Sequence, residues 1–136
     1  TKLRWLFDHI RDLKNEQVVV DNQGNNNNIL FGTIDCWLTW KLTGGKIHAT
    51  DVTNAARTLL CDIGTLQWDD ELLELFNIPA SILPKIEPSI GGNFGTVSSC
   101  PALSGVPIGA VMGDQHAATF GQVCFNVGDA KSTFGT

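Results

Sequence analysis

The residues best suited to chemistry are an acid and an amide that directly follow an apolar run. The run Val106 to Met112 reads V-P-I-G-A-V-M, and after Gly113 come Asp114, Gln115 and His116. We expect the run to form a buried strand and the small residues after His116 to begin a helix. Ligands of open α/β sheets bind beyond the carboxyl ends of strands. A carboxylate at such a place can accept a proton and, together with the amide, bind a polyol or sugar hydroxyl.

These residues also have simpler interpretations. Asp114 has the spacing of a helix N-cap, because alanines follow closely, and spacing alone leaves capping and catalysis equally open. His116 has the side chain that titrates near neutral pH, but a packed or solvent-facing histidine is the commoner case.

A second turn that contains glycine ends the sequence. It reads A-K-S-T-F-G-T over 130–136, and the backbone N–H groups at Gly135 and Thr136 are candidates for binding phosphate. Gly-Thr pairs are common, however, and neither a G-x-x-x-x-G-K-[ST] loop nor a G-x-G-x-x-G turn occurs. The residues alone therefore indicate an α/β domain with a site at a strand end.

Composition limits the class of protein. The chain has 136 residues, of which 43% are hydrophobic and 17% charged, which is typical of one globular domain. The net charge is −5 without a basic cluster, which argues against nucleic acid as a partner. No apolar run approaches the roughly 18 residues that span a bilayer. None of the four cysteines forms a C-x-x-C pair, so we expect buried, reduced thiols in a reducing compartment, and no metal site is indicated.

Periodicity and turn residues predict the elements that position the candidate site. We expect a helix over 2–13, a flexible polar loop over 21–28 and a helix over 33–43 that begins at Thr33 and ends at Gly44-Gly45. After them we expect an extended piece over 46–49, a loop over 50–58 and a strand over 59–61. A helix over 69–76 with acidic residues in its first turn comes next, and Pro79 ends it. The region 82–105 is predicted to be turn-rich, with one or two short strands near 94–97. The apolar faces predicted to be buried are Leu3, Leu6, Phe7, Ile10 and Leu13 in the first helix and Ile34, Trp37, Leu38 and Leu42 in the second.

Several segments together resemble the FGGY family of carbohydrate kinases, and within it the members that phosphorylate glycerol. They are T-K-L-R-W-L-F-D-H (1–9), F-G-T-I-D-C-W-L-T-W-K-L-T-G-G (31–45), T-D-V-T-N-A-A-R-T (50–58), L-Q-W-D-D-E-L-L (66–73), G-D-Q-H-A-A-T-F-G-Q (113–122) and A-K-S-T-F-G-T (130–136). The resemblance runs nearly from end to end, and the G-D-Q triplet is its most specific part.

The resemblance implies an actin-like, ribonuclease H-like α/β fold with two domains and a cleft between them. Residues 1–121 would form the later part of the N-terminal kinase domain, and residues 122–136 the start of the C-terminal domain. By the family's pattern, Asp114 is the general base that deprotonates glycerol, Asp114 and Gln115 bind glycerol, and Gly135 and Thr136 contact the nucleotide. ATP with Mg²⁺ would supply the phosphoryl group.

The sequence departs from the family's pattern near these motifs. His116 stands where glutamine is usual, and Ala56 where serine is usual. Neither substitution affects the proposed base, Asp114, so we expect that activity is possible and leave the substrate affinity open. Many bacterial members bind fructose 1,6-bisphosphate through an arginine in the loop before the strand, and because Gly105 occupies that loop here we expect no such regulation.

The resemblance also implies a longer protein. The family's first phosphate loop and the rest of its glycerol site would precede Thr1, and its adenine site would follow Thr136. We therefore expect a fragment that is inactive alone, and a cytoplasmic full-length protein that forms a homo-oligomer. A kinase for a pentulose or another polyol, or a binding relative that has lost turnover, stays open as an alternative; G-D-Q argues against the former and Asp114 against the latter.

Overall fold

The computed structural model describes residues 2–9 and 29–135, and it combines short helices with short strands. The helices are α1 (Lys2–His9), α2 (Ile34–Leu42), α3 (Val52–Ala55), α4 (Asp70–Phe76) and α5 (Asp114–Gly121). The strands are β1 (Ala49–Asp51), β2 (Cys61–Asp62), β3 (Gln67–Trp68) and β4 (Lys85–Glu87). This mixture agrees with the predicted α/β class. The predicted polar loop 21–28, the continuation of the first helix over 10–13, and Thr136 lie outside the described residues.

A parallel strand pair lies at the centre of the part that carries the candidate site. β1 pairs with β4 in the register Ala49 to Lys85 and Asp51 to Glu87. All three residues of β1 are buried, as is usual for a parallel strand covered on both faces. β2 and β3 form a separate antiparallel pair. Both strands of the central pair end near Asp51, so the residues that follow them meet at one edge.

The segment 50–58, predicted to be a loop, instead contains the end of β1 and helix α3. The helix forms because the buried carboxylate of Asp51 caps it, accepting hydrogen bonds from the backbone N–H groups of Thr53 and Asn54. The strand predicted over 59–61 begins only at Cys61. Leu59 has a φ of 65°, and a left-handed residue cannot continue a strand.

The apolar run 106–112 is not the buried strand that the sequence predicted. It is extended, but its pairing is limited to isolated bridges from Thr96 to Pro107 and from Ile90 to Ala110. The partner segment is irregular between the two bridges: Gly91 and Gly95 have φ values of 72° and 77°, which a continuous strand does not adopt. Val106 is 48% exposed. Nor does a strand form over 94–97; the strand of the turn-rich region is β4.

The main apolar cluster joins the β2–β3 hairpin region to α4 and the turn after it. Its buried members are Leu60, Leu73, Ile78, Ile82 and Leu83. Leu3 and Phe7 of α1 pack against this cluster, as predicted, whereas Leu6 is exposed. α4 begins as predicted, because the Asp69 side chain accepts a hydrogen bond from the Leu72 N–H. It ends before Pro79, at a left-handed Asn77.

α2 turns a different face inward from the one predicted. Ile34, Trp37 and Leu38 are exposed, while Cys36 and Thr39 are buried. Small side chains on the inner face let the helix lie close to β1. Thr33 occupies the N-cap position as predicted, but its hydroxyl lies near that of Thr50 and makes no capping bond. The glycine pair after the helix does adopt positive φ, 66° and 81°, as the predicted stop requires.

All four cysteines lie in the described part of the chain, and all are unpaired thiols. Cys36 and Cys61 are buried as predicted, whereas Cys100 and Cys124 are partly exposed. Burial, reinforced by the nearby Asp35 carboxylate, raises the pKa of Cys36 to about 11. Within residues 2–9 and 29–135, no helix has the length and apolar character needed to cross a membrane.

Candidate functional site

Asp114 is the first residue of α5, and its side chain is exposed. Gly113 occupies the N-cap position, so the prediction that Asp114 might be the cap is wrong. Oδ1 of Asp114 accepts a hydrogen bond of 2.7 Å from the backbone N–H of Gln115. Asp114 is therefore an accessible carboxylate that can accept a proton or a hydroxyl hydrogen bond.

Gln115 is tied to the chain segment that follows α5. Its Oε1 accepts a hydrogen bond of 2.5 Å from Lys131 Nζ and one of 2.9 Å from Thr133 Oγ1. An ammonium group only donates, so the oxygen of the amide must face Lys131. The amide NH₂ group of Gln115 is consequently directed away from this pair and can donate to a ligand. The sequence singled out Asp114 and Gln115, but it gave no sign that Lys131 and Thr133 orient the amide.

A buried carboxylate, that of Asp51, lies beneath the exposed Asp114 and Gln115. Asp51 is fully buried, and its side chain is the acceptor for residues on two separate segments. Oδ2 accepts from the Thr53 N–H at 3.0 Å, from the Thr53 hydroxyl at 2.7 Å and from the Ser89 hydroxyl at 2.6 Å. Oδ1 accepts from the backbone N–H of Asn54 at 3.0 Å and from its side-chain amide at 2.7 Å. We call Asp51, Thr53, Asn54 and Ser89 the Asp51 cluster.

Hydrogen bonding keeps Asp51 ionised despite its burial. Burial by itself raises the pKa of this carboxyl. The hydrogen bonds from Ser89 and Thr53, with those from the backbone of Thr53 and Asn54, outweigh that effect and hold the pKa below its ordinary value of 3.8. The cluster therefore contains a buried anion at neutral pH.

The Asp51 cluster reaches the candidate site through one hydroxyl. Thr53 Oγ1 donates to Asp51 and at the same time accepts a hydrogen bond of 2.7 Å from the backbone N–H of Gly113. Gly113 immediately precedes Asp114. A Cβ on Gly113 would lie 3.3 Å from this hydroxyl and 3.5 Å from His116 Nδ1, so the surroundings fit closely around the glycine.

The remaining candidates are placed less informatively. Gly135 is exposed, and a Cβ there would have nothing within 4 Å, so a ligand can approach its backbone. Thr136 lies outside the described residues. His116 is exposed, and Ala56 is partly buried at the end of α3. Across 2–9 and 29–135, no group of three His, Cys, Asp or Glu side chains could hold a metal ion.

Sequence reasoning missed Asp51 as the residue behind the site. The signal was present in part, since Asp51, Thr53 and Asn54 have the spacing of an N-cap followed by its donors. Nothing local indicated Ser89 or Gly113, which come to the cluster from 38 and 60 residues along the chain.

Comparison with known proteins gives the family. The model of the FGGY family of carbohydrate kinases, N-terminal domain, matches residues 1–121. The glycerol kinase of Polaromonas naphthalenivorans is 49% identical over 138 residues, an alignment that covers 100% of this chain and 26% of the relative. The glycerol kinase of Bacillus cereus is 47% identical over 136 residues, with the same coverage.

The solved structures agree with this result. The crystal structure of Plasmodium falciparum glycerol kinase with ADP is 40% identical in sequence and has a TM-score of 0.78 over 92% of this chain and 24% of that one. This chain spans about a quarter of the length of the relatives it matches. Because the family model covers most of the sequence, the chain belongs to the FGGY family of carbohydrate kinases.

Proposed function

We propose that this chain contributes the catalytic base and part of the glycerol site of an ATP-dependent glycerol kinase. Family membership supports the reaction class, and the names of the similar proteins support glycerol as the acceptor. The observation that carries the proposal is the pairing of an exposed Asp114 carboxylate with a Gln115 amide whose oxygen is already engaged by Lys131 and Thr133. An acceptor and a donor side by side match the two needs of a substrate hydroxyl.

The proposed mechanism uses Asp114 and Gln115 on the same hydroxyl. The hydroxyl donates its hydrogen to Asp114, while the Gln115 NH₂ group donates to the hydroxyl oxygen and fixes its direction. As the oxygen attacks the γ-phosphorus of ATP, its proton passes to Asp114, an O–P bond forms and the bond from the γ-phosphorus to the bridging oxygen of ADP breaks. Phosphoryl transfer depends mainly on positioning and charge neutralisation, with a carboxylate to orient the acceptor.

Gly135 and Thr136 are proposed to contact the nucleotide phosphates. The exposed Gly135, with open space on its Cβ side, is compatible with close approach of a phosphate to the backbone. Mg²⁺ bound to ATP would neutralise charge on the transferred group, and the described residues offer no separate carboxylate cage for it.

The wider arrangement follows from the same proposal. We place residues 1–121 in the N-terminal domain of an actin-like, ribonuclease H-like fold and residues 122–136 at the start of the C-terminal domain, with the cleft between them. The active protein is proposed to be a cytoplasmic homo-oligomer, in which parts beyond these 136 residues complete the site.

The test compares wild-type and Asp114→Asn versions of the full-length gene product that carries these residues. ADP release is followed with Mg-ATP and glycerol, with xylulose and ribulose as alternative acceptors. We expect glycerol-dependent turnover that falls by about 10²-fold or more in the variant, in line with the loss of a general base. Asp70→Asn is the matched control, because Asp70 is also an exposed acid in the first turn of a helix.

Each other outcome points to a different conclusion. Turnover with a pentulose alone would assign another acceptor. Absence of turnover with every acceptor in a folded protein would favour a binding relative. Equal activity of Asp114→Asn and Asp70→Asn would remove Asp114 from the mechanism.

A further inference from the structure

We propose that Asp51 and Thr53 are positioning residues for Asp114, acting through the hydrogen bond from Gly113 to the Thr53 hydroxyl. This inference rests on the proposed function, because it assigns a purpose to residues that do not themselves face the substrate. It concerns how the base is held in place and adds no further group to the reacting atoms.

The direction of the hydrogen bonds supports an ordered relay. The hydroxyl of Thr53 has a single hydrogen, which it donates to Asp51 Oδ2 at 2.7 Å. Its oxygen is then available to accept from the Gly113 N–H, also at 2.7 Å. Because Asp51 is an anion that can only accept, it fixes the orientation of the hydroxyl and makes it an acceptor toward Gly113.

Three segments thereby hold the approach to α5. β1 and α3 supply Asp51 and Thr53, and Ser89 follows β4 and donates to the same carboxylate. The Ser89 carbonyl accepts a hydrogen bond of 2.9 Å from the Val111 N–H, two residues before Gly113. The backbone leading to Asp114 is therefore fixed at 111 and at 113 by residues that all connect to Asp51.

Fixing the backbone at this point matters because Asp114 has few contacts of its own. Its side chain is exposed, and its hydrogen bond is to the adjacent Gln115 N–H. The direction of the carboxylate is set by the backbone at 113–114. A displacement of about 1 Å in a reacting group can lower a rate by about 10²-fold.

The experiment replaces Thr53 in the full-length gene product and measures kcat, KM and amide hydrogen exchange. Thr53→Val keeps the shape but cannot accept from Gly113, whereas Thr53→Ser keeps the hydroxyl. Thr58→Val is the matched control, because the Thr58 hydroxyl also serves the end of α3, donating to the Ala55 carbonyl and accepting from the Leu60 N–H. It makes no hydrogen bond to Gly113.

We expect Thr53→Val to lower kcat for glycerol by at least 10-fold and to speed exchange at the Gly113 amide. Thr53→Ser should stay within about 3-fold of wild type, and Thr58→Val should change neither quantity. In an Asp114→Asn background, Thr53→Val should cause no further loss of kcat, because a residue that acts through Asp114 has no effect once the base is gone.

Two results would overturn the catalytic part of the proposal. One is an equal loss of kcat in Thr53→Val and Thr58→Val, which would mean general destabilisation. The other is a full additional loss in the Asp114→Asn background, which would mean that Thr53 does not act through the base. If wild type shows no glycerol-dependent turnover, the proposed function fails, and the catalytic part of this inference fails with it. The structural part is tested separately: it is refuted if amide exchange at Gly113 is unchanged in Thr53→Val.

Discussion

Replacing Asp51 by asparagine should destabilise the protein by about 3 kcal/mol. The carboxylate accepts five hydrogen bonds, two at Oδ1 and three at Oδ2, and an asparagine side chain accepts only at its one oxygen. If the new NH₂ group takes the Oδ1 position, the backbone N–H of Asn54 loses its acceptor; if it takes the Oδ2 position, that of Thr53 does. Hydroxyls and amides can rotate to adapt, but a backbone N–H cannot.

The magnitude follows from these losses. One buried, unpaired N–H costs about 1–3 kcal/mol, and each bond that now meets a neutral acceptor is weaker by about 1 kcal/mol. Replacing the carboxylate by a neutral amide also removes the cost of burying a charge, which offsets part of this loss of stability. The offset is incomplete, because the pKa of Asp51 is lowered: its hydrogen bonds stabilise the carboxylate by more than burial destabilises it.

Urea denaturation followed by tryptophan fluorescence measures the change in the free energy of unfolding. Asp62→Asn is the matched control: Asp62 accepts from the Gly64 N–H and the Thr65 hydroxyl, but at the protein surface, and its replacement should have a much smaller effect. A loss below about 1 kcal/mol for Asp51→Asn, or equal losses for the two variants, would refute the reasoning.

Further predictions concern pH, packing, thiols and regulation. In the folded protein the pKa of Asp51 is lowered from 3.8, so its contribution to stability is complete above pH 3.8 and is lost as the pH falls through the folded pKa. The difference in unfolding free energy between wild type and Asp51→Asn should therefore narrow only in acid. A difference that already narrows at about pH 6 in a urea series would contradict this. Gly92→Ala should cost about 2 kcal/mol or more, since its Cβ would lie 2.5 Å from the Pro88 carbonyl oxygen. Gly109→Ala, which has open space, is its control in thermal melting. Peptide mapping after brief alkylation should find Cys100 and Cys124 modified before Cys36 and Cys61, because burial raises the pKa of both buried thiols. Fructose 1,6-bisphosphate should leave turnover unchanged, since Gly105 offers no cation; inhibition at micromolar concentration would disprove this.

Local sequence signals predicted the elements whose causes are local. α4 was placed correctly because an N-cap acid, an acidic first turn and an apolar side all lie within a few residues. The helix after Asp114 was also predicted, because small residues favour a helix start. The glycine pair after α2 ended that helix for the expected conformational reason.

The remaining errors come from contacts that a short window does not contain. The apolar face of α2, with Ile34, Trp37 and Leu38, is the one that the sequence predicted to be buried. The helix instead packs against β1 through the opposite face, which carries the small side chains of Cys36 and Thr39. The run 106–112 is apolar enough for a strand, but its partner segment contains Gly91 and Gly95 at positive φ, and no continuous ladder forms. Asp51 looked like part of a loop, since its most distant donor lies 38 residues away.

The long separations within the Asp51 cluster set the order in which it can assemble during synthesis. β1 leaves the ribosome well before β4, and Ser89 and Gly113 emerge 38 residues after Asp51 and 60 residues after Thr53, respectively. A nascent chain arrested before β4 presents a local cap at α3 and a β1 strand without its parallel partner. One arrested after Gly113 has every partner of the carboxylate available. Translation speed between these two points therefore determines how long a buried strand and an anion destined for the interior remain exposed to chaperones and proteases.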